Sequence, residues 1–175
     1  MNGKNAAKPQ QSHSITAIDE FDRRILARYQ RDTRHIAQLI GEEVGLSAAA
    51  VQRRLKRMRE SGIIERETAT LDARVLGFPV TCLVGIDLFE ERNAQINTFK
   101  QAMLKQAQVQ QCYYVTGEYD FILTVVCRDL QDYERFTQEV IMADSNVRSF
   151  TTWVVMDKVK FGTALPLAPD QVAPF

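Results

Sequence analysis

Cysteine is scarce in this chain of 175 residues, and the three present, Cys82, Cys112 and Cys127, are odd in number and lie in apolar runs. That pattern suits structural thiols in a reducing compartment and argues against a disulfide framework or a zinc site. Histidine is scarcer still. His13 and His35 are the whole supply, and neither stands at metal-ligand or acid–base spacing from a cysteine. No run of about 18 uninterrupted apolar residues occurs, so an apolar membrane-spanning helix and a membrane partner are excluded. Residues 1–16, MNGKNAAKPQQSHSIT, lack the apolar stretch of a secretory signal, and the expected location is the cytoplasm. No glycine-rich phosphate loop follows a strand. Glu90-Glu91 reads as a solvated charge pair. The expectation is therefore no catalytic set, no metal site and no cofactor.

What the chain does have is 45% hydrophobic residues and a quarter charged, which excludes wholesale disorder. Its net charge is zero, but that average hides a split. Residues 1–70 carry 13 Lys and Arg against 9 Asp and Glu, whereas residues 71–175 carry 9 against 13. The segment 47–61 alone holds Arg53, Arg54, Lys56, Arg57 and Arg59 against Glu60, enough to account for the whole N-terminal excess. A basic half joined to an acidic half suggests one part that meets a polyanion and one that does not.

Periodicity divides the chain further. Residues 1–16 read as a flexible tail. Residues 17–64 read as three short helices. Asp19 caps the first, with Phe21, Ile25, Leu26 and Tyr29 inward, and Ile36, Leu39 and Ile40 form the stripe of the second. Gly45 ends that helix. Ser47 caps the third, with Leu46 placed to staple onto Val51, and Gly62 stops it. Helices joined by V-G-L-S make a helix-turn-helix unit of winged-helix type. Residues 65–79 read as linker, with a strand expected within 63–71. Residues 80–162 then alternate as strands at 80–89, 109–116, 120–127 and 147–156. One helix carries Ile96, Phe99 and Met103. A second, capped by Asp129, turns Leu130, Tyr133, Phe136, Val140 and Ile141 inward. The order β-α-β-β-α-β is the ferredoxin-like split, so the chain is α+β, and residues 163–175 form a C-terminal tail. The strands are apolar on both faces: Val147, Trp153 and Val155 share one side, Phe150, Val154 and Met156 the other. An open antiparallel sheet alternates apolar with polar, so the uncovered face calls for a second copy of itself.

At about 100° per residue, Val51, Leu55 and Met58 form the inner stripe of the third helix. Opposite them stand Ala49, Arg53 and Lys56, with Gln52 and Arg57 at the margins. A helix that reads a major groove needs small residues at its start, here Ser47, Ala48 and Ala49. It also needs amide and guanidinium groups that reach base edges and cations that hold phosphates. The plain alternative is a solvated basic helix in an unrelated bundle.

Three stretches then carry a resemblance: I-D-E-F-D-R-R-I-L at 18–26, V-G-L-S-A-A-A-V-Q-R-R-L-K-R-M-R-E-S-G-I-I at 44–64, and L-G-F at 76–78. V-T-G-E-Y-D-F-I-L-T-V at 115–125 and V-R-S-F-T-T-W-V-V-M-D-K-V-K at 147–160 continue it. Across 17–162 the chain resembles the leucine-responsive/asparagine-type (Lrp/AsnC) transcription regulators. The resemblance implies double-stranded DNA as partner and a recognition helix over 47–60 that includes Arg54. It implies a homodimer built on the C-terminal module, dimers assembled into a higher homo-oligomer such as an octamer, and an amino acid effector between modules.

It also places the effector loop on Gly117, Glu118, Tyr119 and Asp120, with Thr151 and Thr152 on the last strand. A zwitterion needs a carboxylate for its ammonium and N–H or hydroxyl donors for its carboxylate, and these residues supply both. Equally, Gly117 can be simply the positive-φ residue of the hairpin and Asp120 a turn cap. Siroheme decarboxylases resemble the same two-module plan but use histidines in the C-terminal module, where this chain has none after His35. An RNA-reading sheet would show exposed aromatics where D-F-I-L-T-V-V-C stands.

Overall fold

The computed structural model describes residues 17–167; the tail expected over 1–16 and the final residues 168–175 lie outside that range. The chain forms two compact units. One runs to Ala69 and takes in the segment from Gly162 onward, and the other spans Thr70–Phe161.

The first unit holds α1 (Glu20–Tyr29), α2 (Ala37–Val44) and α3 (Ala48–Glu60). Asp19 starts α1 with a full capping box, its carboxylate accepting from Asp22 N–H while Asp22 accepts from Asp19 N–H. Gly45 ends α2 in the left-handed conformation at φ 77°, and Ser47 caps α3 by accepting from Ala50 N–H at 3.2 Å. Between them the chain turns tightly: Leu46 N–H donates to the Gly41 carbonyl at 2.9 Å. A Cβ on Gly41 would stand 2.4 Å from the Leu46 carbonyl oxygen, so only glycine admits this approach. Ile25, Tyr29, Ile40, Val44, Val51, Leu55 and Met58 form the core.

Three expectations for this unit change. Ile36 and Leu39 are exposed, because α2 turns Ala37, Ile40, Gly41 and Val44 inward to bring Gly41 against the turn. Phe21 is also exposed and packs under the Arg54 guanidinium. No strand forms over 63–71. Ile63 and Ile64 pack on the helical core, and Glu67 is fastened by its side chain, accepting from the Tyr29 hydroxyl at 2.6 Å and Arg59 Nε at 3.0 Å. The segment is thus tied down by side chains, and among the described residues of this unit no strand offers it a ladder. Part of the expected C-terminal tail is likewise held: the Gln30 amide donates to the Leu165 carbonyl and accepts from its N–H, both at 2.8 Å.

The second unit is a four-stranded antiparallel sheet in the order β2-β3-β1-β4, with β1 at Val80–Leu88, β2 at Val109–Tyr114, β3 at Phe121–Cys127 and β4 at Val147–Val154. Helices α4 (Asn93–Met103) and α5 (Leu130–Phe136) supply the layer that makes the fold ferredoxin-like. Asp129 caps α5 as expected. Leu130 is exposed, and Asp132 takes an inward position with Phe136. A single π-turn over Thr137–Ile141 follows α5, closed by Met142 N–H on the Thr137 carbonyl.

The register sorts each strand into two faces. Tyr114, Phe121, Ile86 and Phe150 form one rung toward the helices, and Cys112, Leu123, Val84 and Thr152 form the next. On the other face Tyr113, Ile122, Gly85 and Thr151 share a rung, and Gln111, Thr124, Leu83 and Trp153 the next. Val147 does not share a face with Trp153 as strict alternation predicts. The register shifts at Asp87/Leu88, where Leu88 pairs with Val147 but Asp87 with Ser149, and this bulge swings Val147 into the core beside Phe150. The outer face keeps Leu83, Tyr113 and Trp153 at 38–53% exposure.

Candidate nucleic-acid interface and ligand face

Helix α3 carries two kinds of basic residue. Arg54 and Arg57 turn back onto α1, where Asp22 is completely enclosed. Arg54 Nη1 donates to Asp22 at 2.9 Å and to Asp19 at 2.7 Å, and Arg57 Nη2 donates to the other Asp22 oxygen. The Asp22 N–H and the Arg54 guanidinium hold the Asp19 carboxyl below its usual range. Arg59 donates to Glu67 and to the Tyr29 hydroxyl and lies over the Tyr29 ring. Ser47, Ala49, Gln52, Arg53 and Lys56 are exposed on the opposite side, with Ala48 half-buried at the edge. Lys56 has only a distant ion pair with exposed Glu60 at 3.8 Å, and Arg53 has no ion pair among the described residues. Arg53, Arg54 and Arg57 border a hollow of about 200 Å³, and Arg57 Nε is buried without a hydrogen-bond partner among the described residues.

The helix therefore has an inner apolar stripe, a structural arginine row, and an outer face that starts small and becomes long and cationic. Asp22 as the counter-charge was not foreseen from the sequence. Its signal was present, since Asp22 sits on the Ile25/Tyr29 stripe of α1, where an acid must find cations.

On the second unit, the G-E-Y-D turn joins β2 to β3, closed by Val115 N–H on the Asp120 carbonyl at 2.9 Å, with Gly117 at φ 128°. The Tyr119 ring lies flat over Gly85 on the outer sheet face. A Cβ at Gly85 would meet the ring at 2.8 Å. The Tyr119 hydroxyl donates to Thr151 Oγ1 at 3.1 Å, and the ring meets Trp153 edge-on at 5.6 Å between centroids. Asp120 sits where β3 begins. Its Oδ2 accepts from Leu88 N–H at 2.7 Å, the amide beside the bulge, and its own N–H donates to the Ile86 carbonyl at 2.8 Å. Glu118 is exposed at the hairpin tip. Thr152 points away from all of these, into the helix-facing side, where it hydrogen-bonds the Tyr133 hydroxyl. The fold thus brings Tyr119 and Thr151 together and separates Thr152 from them. Among the described residues no group of His, Cys, Asp and Glu is arranged to hold a metal ion.

Residues 18–59 match the AsnC-type helix-turn-helix domain and residues 81–165 the Lrp/AsnC ligand-binding domain. An uncharacterized HTH-type transcriptional regulator of Sinorhizobium fredii is 37% identical over 150 residues, covering 86% of this chain and 89% of its own. This chain belongs to the Lrp/AsnC family of transcriptional regulators. The regulator AzlB of Bacillus subtilis is 32% identical over 150 residues, 86% of this chain and 96% of that protein. Among solved structures, an AsnC family regulator from Agrobacterium tumefaciens superposes with a TM-score of 0.80 at 30% identity, covering 85% of this chain and 97% of that one. A regulator from Neisseria meningitidis in complex with L-Met has the same fold, with a TM-score of 0.81 at 24% identity and coverage of 86% and 97%. As a family member the chain is a DNA-binding regulator with a ligand-binding domain. No described helix is long and apolar enough to cross a membrane.

Proposed function

We propose that α3 enters the major groove with Gln52, Arg53 and Lys56, while Arg54 and Arg57 stay bound to α1 and fix the helix in the unit. The observation that carries this is the division of α3 itself: exposed Gln52 and Arg53, with Lys56 in no more than a long pair to exposed Glu60, on one side, and carboxylate-held Arg54 and Arg57 on the other. Ser47, Ala48 and Ala49 let the start of the helix approach the groove floor, and Arg53 reads a base edge. Two copies per assembly, related by a twofold, read half-sites about one helical turn apart or a multiple of it. The second copy joins through the outer sheet face, where Leu83, Tyr113 and Trp153 are available for burial, and dimers build the higher homo-oligomer. The protein works as a regulator and not as an enzyme.

The ligand of the C-terminal unit is an amino acid held at the outer face around Gly117, Glu118, Tyr119, Asp120 and Thr151. The free Oδ1 of Asp120 meets the ammonium, and the Tyr119–Thr151 hydroxyl pair and the hairpin amides meet the carboxylate. Thr152 acts only by holding Tyr133.

Operator binding by titration of labelled duplex tests the DNA reading. Arg53→Ala loses about 1–3 kcal/mol on the specific site alone, and Lys56→Ala weakens all sequences alike and flattens the salt slope by about one unit. Unchanged binding by the folded double variant overturns the assignment.

A further inference from the structure

A second hollow, of about 480 Å³, lies wholly within the C-terminal unit at the end of β3 remote from the G-E-Y-D hairpin. The length of β3, at about 3.3 Å per residue, puts roughly 20 Å between the two places. Its floor is an unusual acid. Asp132 is 5% exposed, and it accepts from Arg128 N–H at 3.0 Å, Arg128 Nη2 at 2.9 Å, Arg135 Nη2 at 3.0 Å and Gln108 Nε2 at 3.4 Å. One carboxylate thus orients two guanidiniums, leaving this trio with a net positive charge that Glu139 at the rim balances over the hollow as a whole. Among the described residues, Arg128 Nη1 and Arg135 Nε and Nη1 make no hydrogen bond, so donors remain for an incoming anion. Arg128 holds the Asp132 carboxyl well below its usual range, so the acid keeps its charge and its grip on both arginines.

The wall beside this polar floor is apolar, made by Phe78, Phe136 and Val140, and Glu139 stands exposed at the rim. Val140 and Glu139 belong to the π-turn that follows α5. Such turns are rare and concentrate at functional sites, because the extra residue breaks the regular helix to place particular side chains. Here it sets Glu139 and Val140 on the hollow's edge. A volume in the range of small-molecule sites, preset guanidiniums, an apolar wall and a local break in the helix thus coincide.

We propose that this hollow binds a small carboxylate bearing an apolar group, its carboxylate on Arg128 and Arg135 and its apolar part against Phe78, Phe136 and Val140. Two sources share this chemistry, an apolar α-amino acid and the matching 2-oxo acid, and Glu139 favours the first by meeting the ammonium. The inference rests on the C-terminal unit being a ligand-binding domain but not on the seat at the hairpin.

Calorimetry on the full chain tests it with L-phenylalanine, L-leucine and phenylpyruvate. At least one of the two amino acids should bind. Arg135→Gln, which leaves Asp132 its Arg128 and Gln108 donors, should weaken that binding tenfold or more. Glu139→Gln should weaken the amino acid and leave phenylpyruvate unchanged, whereas Thr151→Val, which can lower only the affinity of the separate seat at the hairpin, should leave the Arg135-dependent binding unchanged. If phenylpyruvate alone binds and Arg135→Gln weakens it, the site holds and the source is the oxo acid. Absence of binding by all three probes overturns the proposal, as does wild-type affinity in folded Arg135→Gln. Binding lost in Thr151→Val but kept in Arg135→Gln places the ligand at the hairpin, overturning this site while sparing the effector reading above.

Discussion

Replacing Asp22 by Asn removes a charge that the N-terminal unit encloses completely while leaving the shape of the side chain in place. In the native unit its two oxygens receive Arg54 Nη1, Arg57 Nη2 and the Asp19 N–H. The amide keeps one accepting oxygen and turns an NH2 group toward a guanidinium that needs an acceptor. Breaking a buried ion pair from one side costs about 3–5 kcal/mol. Two features lower that figure: Arg54 retains Asp19 at 2.7 Å, and Arg57, 42% exposed, can turn to water. A loss of about 2–3 kcal/mol is the expectation, and at about 4–8 °C per kcal/mol for a domain of this size the helical melting transition falls by about 10–20 °C. Circular dichroism of the full chain measures it. The same substitution releases Arg57 toward solvent while Arg54 stays on Asp19, so below the melting range non-specific DNA binding should tighten. Its dependence on the logarithm of salt should steepen by about 0.9 for each new phosphate contact. An unchanged melting temperature would refute the structural role of the pair, and a drop in stability with an unchanged salt slope would show that the released cation does not reach DNA.

Gly41→Ala forces a Cβ within 2.4 Å of the Leu46 carbonyl and should destabilise the unit by about 1–3 kcal/mol despite alanine's better helix propensity, as urea titration would report. Alkylation of the native protein should modify Cys112, which is exposed, and spare buried Cys82 and Cys127, all three reacting in denaturant; equal native rates would contradict the packing. Burial raises the Cys127 thiol to about 11, above its unfolded value of about 8.5. Its contribution is therefore present in full below pH 8.5 and is lost as pH rises toward 11, so an alkaline stability profile flattened by Cys127→Ser is expected. For Asp132 the sign is opposite. Its carboxyl is depressed in the folded state, so its contribution is full above about pH 5 and fades as pH falls through the usual carboxylate range, and Asp132→Asn should shrink that acid-side loss of stability.

Much of this architecture is legible because local chemistry dictates it. Asp19, Ser47 and Asp129 each begin a helix by accepting its first free N–H groups, and Gly45 and Gly62 supply the positive φ that ends one. Ile96, Phe99 and Met103, at helical spacing, fall on the core as their period requires. What was not legible depends on partners distant in sequence. The face of Val147 depends on a bulge whose free amide, Leu88 N–H, is satisfied by Asp120, 32 residues away. The same alternation puts Thr151 and Thr152 on opposite faces, a consequence overlooked when both hydroxyls are counted as donors for one ligand. Ile36 and Leu39 look like a helix stripe, but the close approach at Gly41 sets the phase of α2 instead. A count of charges along α3 likewise cannot tell which arginines already hold a carboxylate.

That last distinction bears on how a regulator finds its site among a chromosome's many wrong ones. Every cation that grips phosphate without regard to sequence lengthens the time spent on random DNA. In α3, Arg54 and Arg57 are committed to Asp22 and Arg59 to Glu67, so three of the helix's five cations are engaged before DNA arrives. The helix can be strongly basic in composition yet only weakly adhesive toward an arbitrary duplex. If α3 is the DNA-reading element, dwell times on wrong sequences should be short, favouring frequent release over prolonged sliding. On the proposed docking of α3, discrimination then falls to the few side chains, Gln52 and Arg53 foremost, that would meet base edges instead of the backbone.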